Sequence, residues 1–255
     1  MTTTGPTEHR SEAQTGRPAG RPHAFILTGH VDRLALFAPL LTNATESRHA
    51  RERGLPSCTG QYGAVDVTVV GTGMGGPATV RAVELARFCR ATVVVRAGGA
   101  GPIADHVSTG DHIIATAAVR DEGASQAFLP LSWPAVAHPD VVDALERAAH
   151  AQGLDCQLGV VHSKDAFFAE VDPDSSPVAQ RLRSRWAAWR QLGVLASEME
   201  AAALFCAATH HGLKAGAVLR INDVVSETGG LRPVESRLCA VAVAGAAAAA
   251  NGEHR

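Results

Sequence analysis

The stretch 65–101 limits the architecture more tightly than any other part of the chain. It reads VDVTVV, GTGMGG, PATVRAVELARFCR, ATVVV and RAGGAG. A β-branched strand runs into a glycine turn, a helix opened by Pro77 follows, and a second β-branched strand leads through Arg96 into a second glycine-rich turn. Neither apolar run alternates as a strand with one wet face does, so both are expected in a parallel sheet covered on both faces. Ligands of such sheets bind beyond the carboxyl ends of the strands. The expected site therefore lies near 73–76 and 96–101.

The 255 residues are enough for one large α/β domain. The expected fold is a central sheet, mixed but mostly parallel, flanked by helices. Residues 1–22 are polar and rich in Thr, Gly and Pro, and read as an arm ahead of a domain spanning 23–255. Strands are expected at 24–28, 108–119, 157–162 and 214–225. Helices are expected from the turn after Gly29 through Leu41, and over 139–152, 173–189 and 233–250. The segment 43–63 reads as irregular.

A net charge of −2 gives no general attraction to nucleic acid or to an anionic membrane, so any anion must be held locally. The five cysteines are scattered without a CxxC pair, which points to a reduced, cytoplasmic setting and to no metal site. No apolar run is long enough to span a membrane.

Several residues invite a functional and a structural reading side by side. His30 and Arg33 sit in a turn at a strand end, where they can hold an anion or simply face solvent. Arg48, Arg51 and Arg53 form either a solvated surface or a set of phosphate-binding forks. Arg96 ends a buried strand where phosphates dock. Phe167 and Phe168 follow another strand as core or as a ligand platform, and Trp186 and Trp189 read as packing. Glu198 and Glu200 suit the first turn of a helix capped by Ser197. That helix is otherwise apolar and must be buried, so a carboxylate at its mouth needs a partner, such as a sugar with vicinal hydroxyls. Asp223 is a capping residue or a general acid in a partly desolvated pocket.

Over 25–250 seven motifs occur in register: Gly29-x-x-Asp32-Arg33, Arg53-Gly54, 71–77 (GTGMGGP), Arg96-Ala97-Gly98, 118–125 (AVRDEGAS), Glu198-Met199-Glu200 and Ile221-Asn222-Asp223. Together they resemble the nucleoside phosphorylases that include uridine phosphorylase and the bacterial-type hexameric purine nucleoside phosphorylases. The resemblance implies reversible phosphorolysis of a nucleoside, with inorganic phosphate as co-substrate and no metal or organic cofactor. It assigns Gly29, Arg33, Arg96 and the position of Gly99 to phosphate. Arg53 would reach into a neighbouring subunit's site, which implies a homo-oligomer, a dimer or a trimer of dimers. Glu198, Met199 and Glu200 would hold the ribose, with His9 a candidate to join them from the adjacent subunit. Phe167, with Phe168 close by, would meet the base.

Asp223 matches the acid of the purine enzymes, where uridine phosphorylases usually carry Arg, and Arg237 is a candidate assistant. Val171 and Pro173 stand where uridine phosphorylases read uracil with Gln and Arg. A purine nucleoside is therefore the expected substrate, with uridine or a 5′-nucleotide as alternatives. Two positions depart from the family pattern: His30 replaces an Asp, and Gly99 replaces a Ser or Thr whose hydroxyl serves phosphate. Gly99 thus also suits a hydrolase of the same fold. Gly71-x-Gly73-x-x-Gly76 formally fits a dinucleotide-binding oxidoreductase, although that scheme gives the glycines after Arg96 no role. A non-catalytic relative is the remaining alternative.

Overall fold

A computed structural model describes residues 21–47, 55–222 and 236–252. Among these residues ten strands form one sheet: β1 (His23–Thr28), β2 (Thr42–Ser47), β3 (Ser57–Tyr62), β4 (Val65–Gly71), β5 (Val93–Pro102), β6 (His112–Asp121), β7 (Ala135–Val136), β8 (Cys156–Lys164), β9 (Ala196–Glu198) and β10 (Lys214–Ile221). The helices are α1 (Leu34–Phe37), α2 (Gly76–Phe88), α3 (Pro139–Ala151), α4 (Phe168–Val171), α5 (Ala179–Gln191), α6 (Ala201–His210) and α7 (Ser236–Asn251).

The sheet is mixed, not mostly parallel: among the described residues five pairings are parallel and five antiparallel. β4, β1, β5 and β10 run parallel to one another, as the unbroken apolar runs of β4 and β5 require. A second parallel set, β6, β8 and β9, runs against the first, joined through β10 to β6 and through β9 to β5. Because β5 pairs with both β10 and β9, these five strands close into a ring. β1, β4, β3 and β2 extend outward from β5.

Helices cover both faces. α2 and α6 pack on one, where Ala82, Val83 and Ala86 meet Leu204, Phe205 and the strand residues Val94 and Leu219. α3 and α7 pack on the other, around Val141, Leu145, Val241, Ala242 and Ala246. Small residues let these helices approach closely: a Cβ on Gly245 would lie 2.7 Å from Leu145. α2 begins where expected, with Pro77 in its first turn after Gly75 at φ 95°. α3 opens on Pro139 and is capped by His138, whose Nδ1 accepts from Asp140 N–H at 3.2 Å.

Four local expectations are corrected. Segment 43–63 is not irregular, since β2 and β3 form a hairpin-like antiparallel pair flanking 48–54, which lies outside the described residues. The helix after Gly29 is broken into short turns, with Pro39 in the last of them. The second glycine-rich turn is strand: β5 continues through Gly98 and Gly99 to Pro102 because β10 and β9 supply partners. Finally, 196–198 is strand β9, and the apolar helix starts only at Ala201. No described helix is long and apolar enough to cross a membrane.

Candidate active site

Arg96 is the centre of the site. It lies inside β5 and is buried, with Nε 2.9 Å from Glu198 Oε2 and Nη2 2.5 Å from Glu200 Oε2. Its guanidinium folds back over the strand into space that Gly98 leaves open. A Cβ at Gly98 would come within 2.8 Å of Arg96 Cζ and Nη2. The glycine is thus a consequence of where the arginine must sit.

The two glutamates reach Arg96 because β9 is antiparallel to β5. Ser197 pairs with Gly101, so the chain beyond it runs back along β5 towards Arg96. Glu198 is enclosed by protein partners: Ser163 Oγ donates to Oε1, Glu200 N–H donates to Oε2 at 2.8 Å, and Ala201 N–H reaches both oxygens at 2.9 and 3.0 Å. Its carboxylate therefore caps α6 in place of Ser197 and orients Arg96 at the same time. Ser163 Oγ also accepts from Ala202 N–H at 2.9 Å, tying the end of β8 to the same helix start. Glu200 Oε1 accepts from Gly75 N–H at 2.6 Å, so the first glycine turn points an amide at the ribose candidate and not at an open cleft. Burial pushes the Glu200 carboxyl above the ordinary range, against the pull of Arg96. Met199, between the two, is half-buried.

Arg33 is a second buried guanidinium, 7% exposed, and it has no hydrogen-bond acceptor or ion-pair partner among the described residues. Burial, followed by the charge of Arg96, pulls its pKa below the ordinary guanidinium range, down to about 10. Glu198 and Glu200 balance the charge of Arg96, so Arg33 is the buried guanidinium whose forked donors are left for an anion. Gly29 closes the same turn, 3.7 Å from Gly73 O by its would-be Cβ. His30 caps the turn, its Nδ1 accepting from Asp32 N–H at 3.3 Å, which gives this departure a local structural use. Gly99 has a comparable reason: Asn222 Nδ2 lies 2.3 Å from where a Gly99 Cβ would be, and Arg220 Nη1 donates to Asn222 Oδ1 at 2.9 Å. A Ser or Thr at this position would have to displace the amide.

Phe167 is half-buried and Phe168 is 78% exposed, their rings edge to face at 5.1 Å. Lys164, at the end of β8, sets its Nζ 5.8 Å from the Phe167 ring centroid and 4.8 Å from that of Trp186. Behind them His162 is fully buried, bonded through Nδ1 to Ser197 Oγ and through Nε2 to Asp121, each at 3.1 Å, with Arg185 on the other Asp121 oxygen. Asp121, His162 and Glu170 lie close enough to suggest a cation site. However, both ring nitrogens are engaged, Asp121 is paired with Arg185, and Glu170 accepts from Trp186 Nε1. Trp186 and Trp189 pack on His162, as their spacing implied. Arg120 is a loop staple, donating to the carbonyls of Leu129, Pro130 and Trp133.

Arg53, His9 and Asp223 lie outside the described residues. Arg237 is exposed in the first turn of α7. The structure thus brings Gly29, Arg33, Arg96, Glu198, Met199 and Glu200 to one place, with Gly99 further along the Arg96 strand.

Residues 24–250 match the family model described as the phosphorylase superfamily. The chain belongs to this superfamily. It is 36% identical to a uridine phosphorylase of Treponema pallidum over 199 residues, 78% of this chain and 76% of the relative. It is 34% identical to a uridine phosphorylase of Thermococcus kodakarensis over 228 residues, 88% and 82% of the two chains. A guanosine phosphorylase of Halorubrum lacusprofundi is 28% identical over 214 residues, 80% and 83% of the two chains. The enzyme is a pentosyltransferase of the nucleoside phosphorylase type, and the dinucleotide-oxidoreductase alternative falls with that finding. Ser163, which donates to Glu198, and Asn222, which crowds Gly99, had no assigned role in the sequence, nor had Lys164, buried beside Phe167 and Trp186. Lys164 carried the same signal as Arg96, a charged residue ending a buried strand.

Proposed function

We propose that the enzyme catalyses the reversible phosphorolysis of uridine to uracil and ribose 1-phosphate. The observation that carries the reaction class is the pair of buried guanidiniums, Arg33 and Arg96, of which Arg33 is left without a carboxylate among the described residues. Phosphate fills that gap, with the Gly29 turn beside it. Glu198 holds Arg96 in place, while Glu200, its oxygens held by Gly75 N–H and Arg96, keeps lone pairs for the two ribose hydroxyls. A phosphate oxygen attacks C1′, the glycosidic bond breaks, and its electron pair leaves with the base. Phe167 stacks on that base. Charge comes from the arginines; no metal or organic cofactor enters the reaction.

Uridine takes precedence over the purine expectation because the more similar relatives bear the name uridine phosphorylase. Asp223 and the guanosine phosphorylase relative favour a purine as the second reading. The family resemblance also assigns Arg53 and His9, both outside the described residues, to sites shared within a homo-oligomer, a dimer or a trimer of dimers, and this is part of the proposal. Chromatographic assay of base release from uridine, inosine and guanosine, each with and without phosphate, tests the reading. Uracil released only with phosphate supports it, preferential purine release supports the second reading, and phosphate-independent release makes the enzyme a hydrolase.

A further inference from the structure

Lys164 is a buried cation that neither fold nor phosphate site uses. It is 3% exposed, and its three N–H donors find no hydrogen-bond acceptor and no carboxylate within ion-pair distance among the described residues. The acids whose charge acts on it are committed elsewhere: Glu198 to Ser163, Arg96 and the α6 amides, and Glu170 to Trp186. Two aromatic faces, Trp186 at 4.8 Å and Phe167 at 5.8 Å, are what hold the ammonium. Burial pulls its pKa down. A buried ammonium without an acceptor is costly to keep, and the ring beside it is the one assigned to the base.

We propose that Lys164 is a catalytic and specificity-determining residue for the base: its ammonium donates to a carbonyl oxygen of the bound uracil and carries part of the negative charge that the base gains on leaving. The proposal rests on the uridine reading above. As the C1′–N1 bond breaks its electron pair passes to the base, delocalises onto the carbonyl oxygens, and is neutralised afterwards by a proton from water. Phosphate supplies the new bond to C1′. In this role Lys164 provides the donor that Val171 and Pro173, by their chemistry, lack. An ammonium also favours a carbonyl oxygen over the protonated edge of a base.

The test is the leaving-group dependence of turnover in the full chain, comparing uridine with 5-fluorouridine, whose base leaves more readily as an anion. Lys164→Met is expected to lower kcat for uridine by about 10²- to 10³-fold, the effect of removing one transition-state donor, and to lower it several-fold less for 5-fluorouridine. The KM for phosphate stays within about twofold of wild type, and Lys164→Arg recovers part of the loss. Equal losses on the two nucleosides, or a change confined to the KM for phosphate, overturn the proposal. Should Lys164→Met not fold, Lys164→Gln carries the same comparison, since it keeps a donor and loses the charge. A wild-type enzyme active on uridine with indifferent variants refutes the lysine alone, whereas one inactive on both nucleosides refutes the uridine reading as well.

Discussion

Gly98 and Lys164 show how single positions carry cost on behalf of chemistry. Arg96 is pinned between two carboxylates, so it cannot yield to a methyl group placed 2.8 Å from its Cζ. Gly98→Ala is therefore expected to push the guanidinium off its site while the fold persists. The loss in kcat/KM should be roughly 10- to 100-fold, the equivalent of about 1.5–3 kcal/mol for a hydrogen bond to a charged group, and steady-state kinetics with varied phosphate would measure it. Lys164 stores its cost as pH dependence. Burial lowers its folded-state pKa, so the folded chain sheds the proton that the unfolded chain keeps up to about pH 10.4. Stability from this group thus rises with pH across that window, and below it the charged folded state bears the full burial penalty. Without substrate, Lys164→Met should be more stable than wild type at pH 7 by on the order of 1 kcal/mol. The gap should narrow towards pH 10 in paired thermal melts; a gap that grows with pH contradicts this assignment.

Among elements, the turn from β9 into α6 does most to assemble the site. Glu198 caps the helix, orients Arg96 and anchors to β8 through Ser163, so three elements meet on one carboxylate. Ser163→Ala removes a buried donor and the acceptor for Ala202 N–H. It is expected to lower the unfolding free energy by about 1–3 kcal/mol in urea denaturation and to reduce kcat/KM with it. Much at this scale was legible in the sequence: the β4 and β5 strands, the Pro77 helix start and the α3 and α7 spans all follow from local pattern, and the charged residue expected at the end of the β5 apolar run is the buried Arg96 that meets Glu198 and Glu200. Residues 98–101 were not legible as strand, because glycine carries little strand preference of its own and the pairing is decided by β10 and β9, distant in the chain. Glu198 as the cap of α6 was hidden for the same reason. Only the antiparallel return of β9 along β5 shows which acid meets Arg96.

At the scale of the whole molecule, two opposed sets of parallel strands close into a ring, and covering helices leave the strand ends as the place where charge can collect. The expectation of a mostly parallel sheet failed here: unbroken apolar runs report burial on both faces, but not the direction of a strand's neighbours. The ring brings β5, β8, β9 and the β1 turn to a common edge, where Arg33, Arg96 and Glu200 and, past β8, Phe167 offer the charge, the acid and the ring that the proposed phosphorolysis uses. The most direct test is to follow uridine and inorganic phosphate with the enzyme by ³¹P NMR. The expected result is a ribose 1-phosphate resonance growing in step with uracil release and with loss of the inorganic phosphate signal. Uracil release that leaves the phosphate signal unchanged, or turnover of inosine or guanosine but not of uridine under the same conditions, would contradict it.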